Sequence, residues 1–300
     1  MLILDFLPSI TAPKGYAARL TIGTAFEKYY NQGLDKNASG FVQGRARCAR
    51  KWGLTTEEIS RAETSIIFAA VTNTVPNVFY MLCYIFSDVE LVAAIREETA
   101  KIITQQISDK AKLVSLDIAM LQTHCPLLTA CFYETLRLIK TGASVRTTLS
   151  DVMLDDQYLL RKGAVIQIPT GVLQSDISTW GKDAQAFNPR RFIEKESLLK
   201  EAKKLQTQAF IPFGGGKNLC PGRHLAFTEI TAFAAMMVYG FELTMSDGGV
   251  VQVPEPEFQR LGISSMSPKK DLAVLIRRRE EFEGVMWQFE TGNGDDLSSI

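Results

Sequence analysis

The sequence predicts a mostly helical fold with small β-sheets, and three observations carry that expectation. An apolar stretch at helical spacing, free of proline and glycine, runs from Arg223 to Tyr239. The strand-like runs are short, as in Val152 to Leu154 and Val165 to Pro169, with a turn at Arg161-Lys162-Gly163 between them. A glycine-rich loop holding one cysteine leads directly into the Arg223 helix.

The elements follow in order. Residues from about Lys14 to Asn31 read as an amphipathic helix, and Gly33 to Gly40 as a loop. Thr55 to Ile59 caps a long central helix that continues towards Phe86. Ser87-Asp88-Val89-Glu90 reads as a capping box opening a helix through Ile103. Leu127 to Leu138 is helical, and Asp183 to Leu205 is loop with short helix. Pro221 suits the first position of the helix after the cysteine, where a missing N–H costs nothing. Short strands are expected over Phe241 to Met245 and Leu272 to Arg277, with the Gly262 to Pro268 loop between them reaching back towards a substrate pocket. Glu280 to Ile300 is acidic and glycine-containing, and reads as a mobile tail. No internal repeat is visible.

Composition excludes several function classes. Lys and Arg total 33, balanced by 33 Asp and Glu, which gives nucleic-acid binding no support. The 300 residues are 46% hydrophobic, enough for a large core. Five scattered cysteines, Cys48, Cys83, Cys125, Cys131 and Cys220, argue for reduced thiols in a cytosol-facing chain. The start, Met1 to Pro8, is too short an apolar run for a signal or span. Ile66 to Phe86 is longer, but Thr72, Asn73, Thr74, Pro76 and Asn77 in its middle favour a protein core over lipid.

The chemistry concentrates in Phe213-Gly214-Gly215-Gly216-Lys217-Asn218-Leu219-Cys220-Pro221-Gly222. A thiolate ligand needs its pKa held down, which a helix N-terminus does through free N–H groups and its dipole. Gly216 and Gly222 let the backbone bend and approach a flat cofactor, and Phe213 can shield the sulfur from water. The bland alternative is an inert, buried cysteine. A phosphate-loop reading of the glycines fails, because Ile211 replaces its first glycine and Asn218 its Ser/Thr. Zinc fails as well: no second cysteine or histidine lies at ligand spacing, and His224 sits within the following helix.

This decapeptide resembles the haem-ligand signature F-x-x-G-x-x-x-C-x-G of the cytochrome P450 family at all four fixed positions. Glu134-Thr135-Leu136-Arg137 resembles that family's E-x-x-R helix motif, and its apolar flanks favour a buried pair over a solvated one. Phe187-Asn188-Pro189-Arg190-Arg191-Phe192 resembles the F-x-P-x-R-F stretch, which makes Arg191, not Arg190, the third member of a structural triad with Glu134 and Arg137. The run Ala69 to Pro76, of pattern A-x-x-x-N-T-x-P, resembles the branch with the bile-acid sterol hydroxylases and prostacyclin synthase, and similar fungal oxidases. Where most members carry an acid and a threonine, Thr72 and Asn73 stand here. The alternative for this run is a core helix kinked at Pro76.

The resemblance implies a cytochrome P450-like fold, with one haem-thiolate domain over residues 1–279, incomplete at its N-terminus, and the tail over 280–300. A membrane anchor, the first sheet strands and a propionate-binding helix would be missing. Implied haem-binding residues are Phe213, Gly216, Cys220 and Gly222, with Cys220 the iron ligand. Arg146 is the leading propionate partner, Lys217 a weaker one, and Gln174 stands where a histidine is common. Thr72, Asn73 and Thr74 are the implied distal, catalytic residues; Phe68, Ala69, Val71, Ile263 and Met266 are apolar pocket candidates.

The implied activity is that of an oxidoreductase, a monooxygenase inserting one oxygen atom of O2 into a hydrophobic lipid-like or secondary-metabolite substrate. A separate NADPH-dependent reductase would supply electrons, since no nucleotide or flavin motif is present. Two alternatives stand beside it: an isomerase or dehydratase using haem on a peroxide without external electrons, and a non-catalytic remnant. The resemblance also implies the cytosolic face of the endoplasmic reticulum membrane for a full-length form, held by the missing anchor.

Overall fold

The computed structural model describes residues 7–107, 112–194, 199–257 and 265–291. The chain divides into two units, Met1–Asn73 and Thr74–Ile300. Ile263 and the rest of 258–264, and residues 292–300, lie outside the described residues.

The first unit holds α1 (Pro8–Thr11), α2 (Pro13–Asn31), α3 (Gly40–Lys51) and α4 (Thr56–Thr72). Helix α2 packs on α4, and Tyr30, Ala46 and Ile59 form the buried centre. A reciprocal capping box starts α4: Thr55 Oγ1 accepts from Glu58 N at 3.3 Å, while the Glu58 carboxylate accepts from Thr55 N at 2.8 Å. Two buried acids are paired, Glu63 with Arg45 at 3.2 Å and Asp35 with Arg50 at 2.8 Å. Helix α3 begins at Gly40, where a loop was expected, because Ser39 caps it; its glycines and basic residues hid the helical pattern.

The second unit opens with α5 (Thr74–Phe86). The continuous central helix expected from sequence is interrupted at Asn73. Pro76 has no N–H to give the Thr72 carbonyl four residues back, and its ring crowds that carbonyl. Helix α6 (Val89–Ala100) is capped by Asp88, whose Oδ1 accepts from Glu90 and Leu91 N–H at 2.9 and 3.1 Å; Ser87 instead donates to the Tyr84 carbonyl. The expected end at Ile103 is corrected too, since β1 (Ile103–Ile107) starts there and pairs antiparallel with β2 (Lys112–Asp117).

Helix α7 (Leu121–His124) leads into α8 (Pro126–Ile139), followed by β3 (Ala143–Thr147), β4 (Val152–Leu154), β5 (Tyr158–Leu160) and β6 (Val165–Pro169). The two strands foreseen here do not pair with each other: β4 pairs with β5, and β6 with β3. Next come α9 (Thr170–Ser175), α10 (Ile177–Trp180), α11 (Arg190–Ile193), α12 (Lys200–Ala209) and α13 (Arg223–Gly240). The remaining strands are β7 (Phe241–Met245), β8 (Pro256–Glu257), β9 (Ser267–Pro268), β10 (Val274–Arg278) and β11 (Val285–Glu290). Strands β7 and β10 pair antiparallel. The expected mobile tail gives way over 285–290, where β11 pairs parallel with β2. Val285 and Phe282 are buried with Val114, so apolar side chains anchor a segment whose overall composition is polar.

The main core lies among α5, α6, α8 and α13, where Met81, Ile95, Phe132, Leu136, Ile230 and Val238 are buried together. Ala232, Ala234 and Ala235 line α13 with small side chains where it meets α5, α6 and α8. At its end a Cβ on Gly240 would fall 2.5 Å from Trp287 Cζ2 on β11. Gly240→Ala is expected to cost about 1–3 kcal/mol by overpacking, read as a lowered urea midpoint. Adding Trp287→Phe should recover part of that loss; an unchanged midpoint in Gly240→Ala would contradict the contact.

Glu98 on α6 anchors the start of α8, accepting from Leu127 N at 2.9 and 3.0 Å and from Leu128 N at 3.1 Å. Those bonds favour its charged form, but burial outweighs them and raises its pKa above the ordinary glutamate range. The unfolded chain therefore loses this proton first. Stability is lost as pH rises from the ordinary carboxyl range through the raised folded pKa. Urea midpoints of wild type and Glu98→Gln should diverge in the variant's favour across that window, and a pH-independent difference would refute the assignment.

Candidate functional site

The cysteine loop is shaped by its backbone. Gly214 and Gly216 have φ of 74° and 63°, left-handed values that residues with a Cβ rarely adopt. Cys220 N donates to the Phe213 carbonyl at 3.0 Å and Leu219 N to the Gly216 carbonyl at 3.1 Å, closing the loop on itself. Phe213 is half-buried against the main core and so anchors the loop's first residue. Helix α13 starts at Arg223, with Gly222 as its N-cap and Pro221 in the turn before it. The expected placement of Pro221 at the first helical position is corrected by two residues. Cys220 nevertheless stands at the head of α13, where the dipole favours a thiolate.

The other cysteines differ from it. Burial pushes the Cys83 and Cys125 thiols up to about 12 and raises that of Cys131, so these three are packing residues. Cys48 is exposed on α3, whereas Cys220 is half-buried and free. Among the described residues no His, Cys, Asp or Glu cluster can hold a metal ion. A metal on Cys220 would therefore take one ligand from the protein and the rest from its own prosthetic group. The loop suits that: Cβ atoms on Gly215 or Gly216 would meet nothing within 4 Å, and one on Gly222 would lie 3.8 Å from the Cys220 sulfur. A flat group fits against such a floor.

Arg146 on β3 reaches this loop, donating from Nη2 to the Gly215 carbonyl at 3.0 Å and from Nη1 to the Val145 carbonyl at 2.8 Å. Lys217 and Asn218 are exposed. Gln174 is corrected. It is 1% exposed and donates its amide to the Leu136 and Arg137 carbonyls at 3.2 and 3.0 Å, capping the end of α8 and not facing the loop.

Glu134, Arg137 and Arg191 meet in one buried network. Arg137 grips Glu134 with two bonds of 2.7 Å, and Arg191 Nε donates to Glu134 Oε1 at 2.9 Å. Asn188 N donates to the same oxygen at 3.0 Å. Arg137 continues to the Gln174 and Ala184 carbonyls at 2.7 Å, and Arg191 to the Trp180 carbonyl at 2.9 Å and Asp183 Oδ2 at 2.9 Å. Arg190 is exposed. The backbone carbonyls and Asp183 escaped sequence reasoning, because a carbonyl acceptor leaves no trace in residue type.

Lys140 escaped it as well. It follows the last residue of α8, bridges to Ser265, and is only 5% exposed. Burial lowers its pKa to about 8, and the Cys220 thiolate is the charge that acts against this. A lone lysine after a helix reads as a solvated end, so nothing in sequence flagged it.

Thr72 and Asn73 close the first unit and Thr74 opens the second. The Thr72 hydroxyl donates to the Phe68 carbonyl at 2.8 Å. Phe68, Ala69 and Val71 are exposed, and Met266 is buried with Tyr80 and Ile139. The stretch Thr56–Phe86 is long and apolar enough to cross a membrane by length and composition, with 22% of its most apolar window buried; the sequence-based expectation was a core segment.

Comparison with known proteins places this geometry. The family model described as Cytochrome P450 matches residues 39–274. The chain is 30% identical over 299 residues to "Cytochrome P450 monooxygenase nodJ" of Hypoxylon pulicicidum, covering 98% of this chain and 58% of that protein. It is 29% identical over 230 residues to "Cytochrome P450 7A1" of Oryctolagus cuniculus, covering 73% of this chain and 45% of the relative. To "Prostacyclin synthase" of Rattus norvegicus it is 25% identical over 251 residues, 80% of this chain and 49% of the relative. The chain thus spans about half the length of these curated relatives.

Proposed function

The chain belongs to the cytochrome P450 family, and from that premise we propose that it is the haem-thiolate part of a monooxygenase inserting one atom of O2 into a hydrophobic, lipid-like or secondary-metabolite substrate. The observation that carries this reading is the left-handed glycine loop presenting one unpaired cysteine at the head of α13, with Arg146 bonded to the same loop. Haem, when bound, supplies the iron at which dioxygen is activated.

The chain's own residues have distinct parts in this reading. Cys220 donates the axial sulfur, and Phe213 shields it from water. Gly216 and Gly222 leave room for the ring, and Arg146 neutralises a haem carboxylate. Glu134, Arg137 and Arg191 hold the polypeptide behind the loop. Thr72, Asn73 and Thr74 organise water and protons on the opposite face. Residues 1–279 act as the haem domain. An NADPH-dependent reductase is the electron donor, and the endoplasmic reticulum membrane the location, as for microsomal relatives.

The test is the absorbance spectrum of the purified chain, reduced and under carbon monoxide, with haem stoichiometry measured alongside. One haem per chain and the long-wavelength band of thiolate ligation are expected; protein without haem would sink the reading. A second reading has support in the absence of a carboxylate from Thr72-Asn73-Thr74 and in the likeness to prostacyclin synthase. It is isomerisation or dehydration of a peroxide without external electrons. Turnover of a hydroperoxide in the absence of NADPH and reductase separates the two.

A further inference from the structure

Lys140 is a buried cation with no local task. The residue is 5% exposed, and its ammonium has no hydrogen-bond or ion-pair partner among the described residues. Serving the end of α8 does not explain it. The Gln174 amide already occupies the Leu136 and Arg137 carbonyls, and Met266 N donates to the Ile139 carbonyl at 3.0 Å. Glu134 does not explain it either, since both its oxygens are held by Arg137, Arg191 and Asn188 N. An ammonium taken out of water without an acceptor is costly, and a lysine near a surface ordinarily extends its head into solvent. Here the backbone is fixed by the bridge to Ser265, and the charge acting on the side chain is the Cys220 thiolate.

On the reading proposed above, that thiolate is engaged by iron in the loaded protein and no longer serves as the lysine's counter-ion. The geometry points to Lys140 as the receptor of a carboxylate brought into the Cys220 compartment by a bound molecule. The residue is a rigidly placed, desolvated point charge, and such a charge selects an anionic oxygen over a neutral one. Two sources share this chemistry, a carboxylate of the haem and a carboxylate of a lipid-like substrate. Either one sets a specificity that the apolar surroundings do not supply.

The experiment uses the full haem-loaded chain and its Lys140→Met variant, an apolar replacement of similar length. One arm measures haem loss to excess apomyoglobin, with haem and with haem dimethyl ester. The other titrates hexadecanoate and its methyl ester by the optical shift of the haem. A haem carboxylate is the ligand where Lys140→Met releases haem about tenfold faster or more and the dimethyl ester removes the difference. A substrate carboxylate is the ligand where haem loss is unchanged and hexadecanoate affinity falls about tenfold or more while the ester is unaffected. Wild-type discrimination between each acid and its ester reads the same property should the variant not fold. No acid–ester difference in either arm, in a chain with the thiolate-type band, overturns the role of Lys140 alone. Absence of that band in wild type overturns the haem-thiolate reading and this inference with it.

Discussion

Glu134→Ala is expected to destabilise the second unit by about 3–5 kcal/mol, because it leaves two buried guanidinium groups facing an empty site. Glu134 and Arg137 side chains are wholly buried and that of Arg191 nearly so. Total stability of a folded domain is only about 5–15 kcal/mol, so the loss takes much of it. A fall in melting temperature on the order of 10 °C should follow, with poor recovery of soluble protein. Arg191→Lys should cost less. Arg191 shares its load with the Trp180 carbonyl and with Asp183, whose carboxylate is half-exposed. Glu134→Ala serves as the reference in thermal melts of the purified variants. Should it melt within a degree of wild type, the network would be decorative.

What made this triad legible is that its charged members lie in two short contiguous motifs, and charge within an apolar stretch demands a partner. The loop around Cys220 was legible for the same reason, since glycine, cysteine and aromatic positions fall within ten consecutive residues. Non-local features were not. Strand β11 pairs with β2 from the far end of the chain, and its six residues sit among acids and glycines that read as solvated. Strands β1 and β2 were missed beside it, because Val114-Ser115-Leu116 is too brief an apolar run to assign without its partners. Helix α4 was extended through Asn73 because apolar spacing continues across it, although Pro76 removes the hydrogen bond that continuity needs. Gln174 was misplaced by the resemblance. Its position in the motif is shared with a haem-facing histidine, but its amide is drawn to the unsatisfied carbonyls ending α8.

Cys220→Ser is expected to abolish the long-wavelength ferrous–CO band while leaving circular dichroism and the urea midpoint close to wild type. The separation follows from how the loop is built. Its shape depends on left-handed Gly214 and Gly216 and on the Cys220 N–H bond to the Phe213 carbonyl, all backbone features that serine keeps. The Cys220 side chain is half-buried and outside the main cluster, so losing its sulfur opens no core cavity. A serine hydroxyl, by contrast, stays protonated at neutral pH and offers iron a hard oxygen in place of a soft thiolate. Function and fold thus respond to different atoms of one residue. Asn73→Ala supplies the opposite control: it alters the segment assigned to proton handling and should retain the band while slowing turnover. A band that survives Cys220→Ser would place the metal ligand elsewhere, and the glycine loop would then be only a turn at the start of α13.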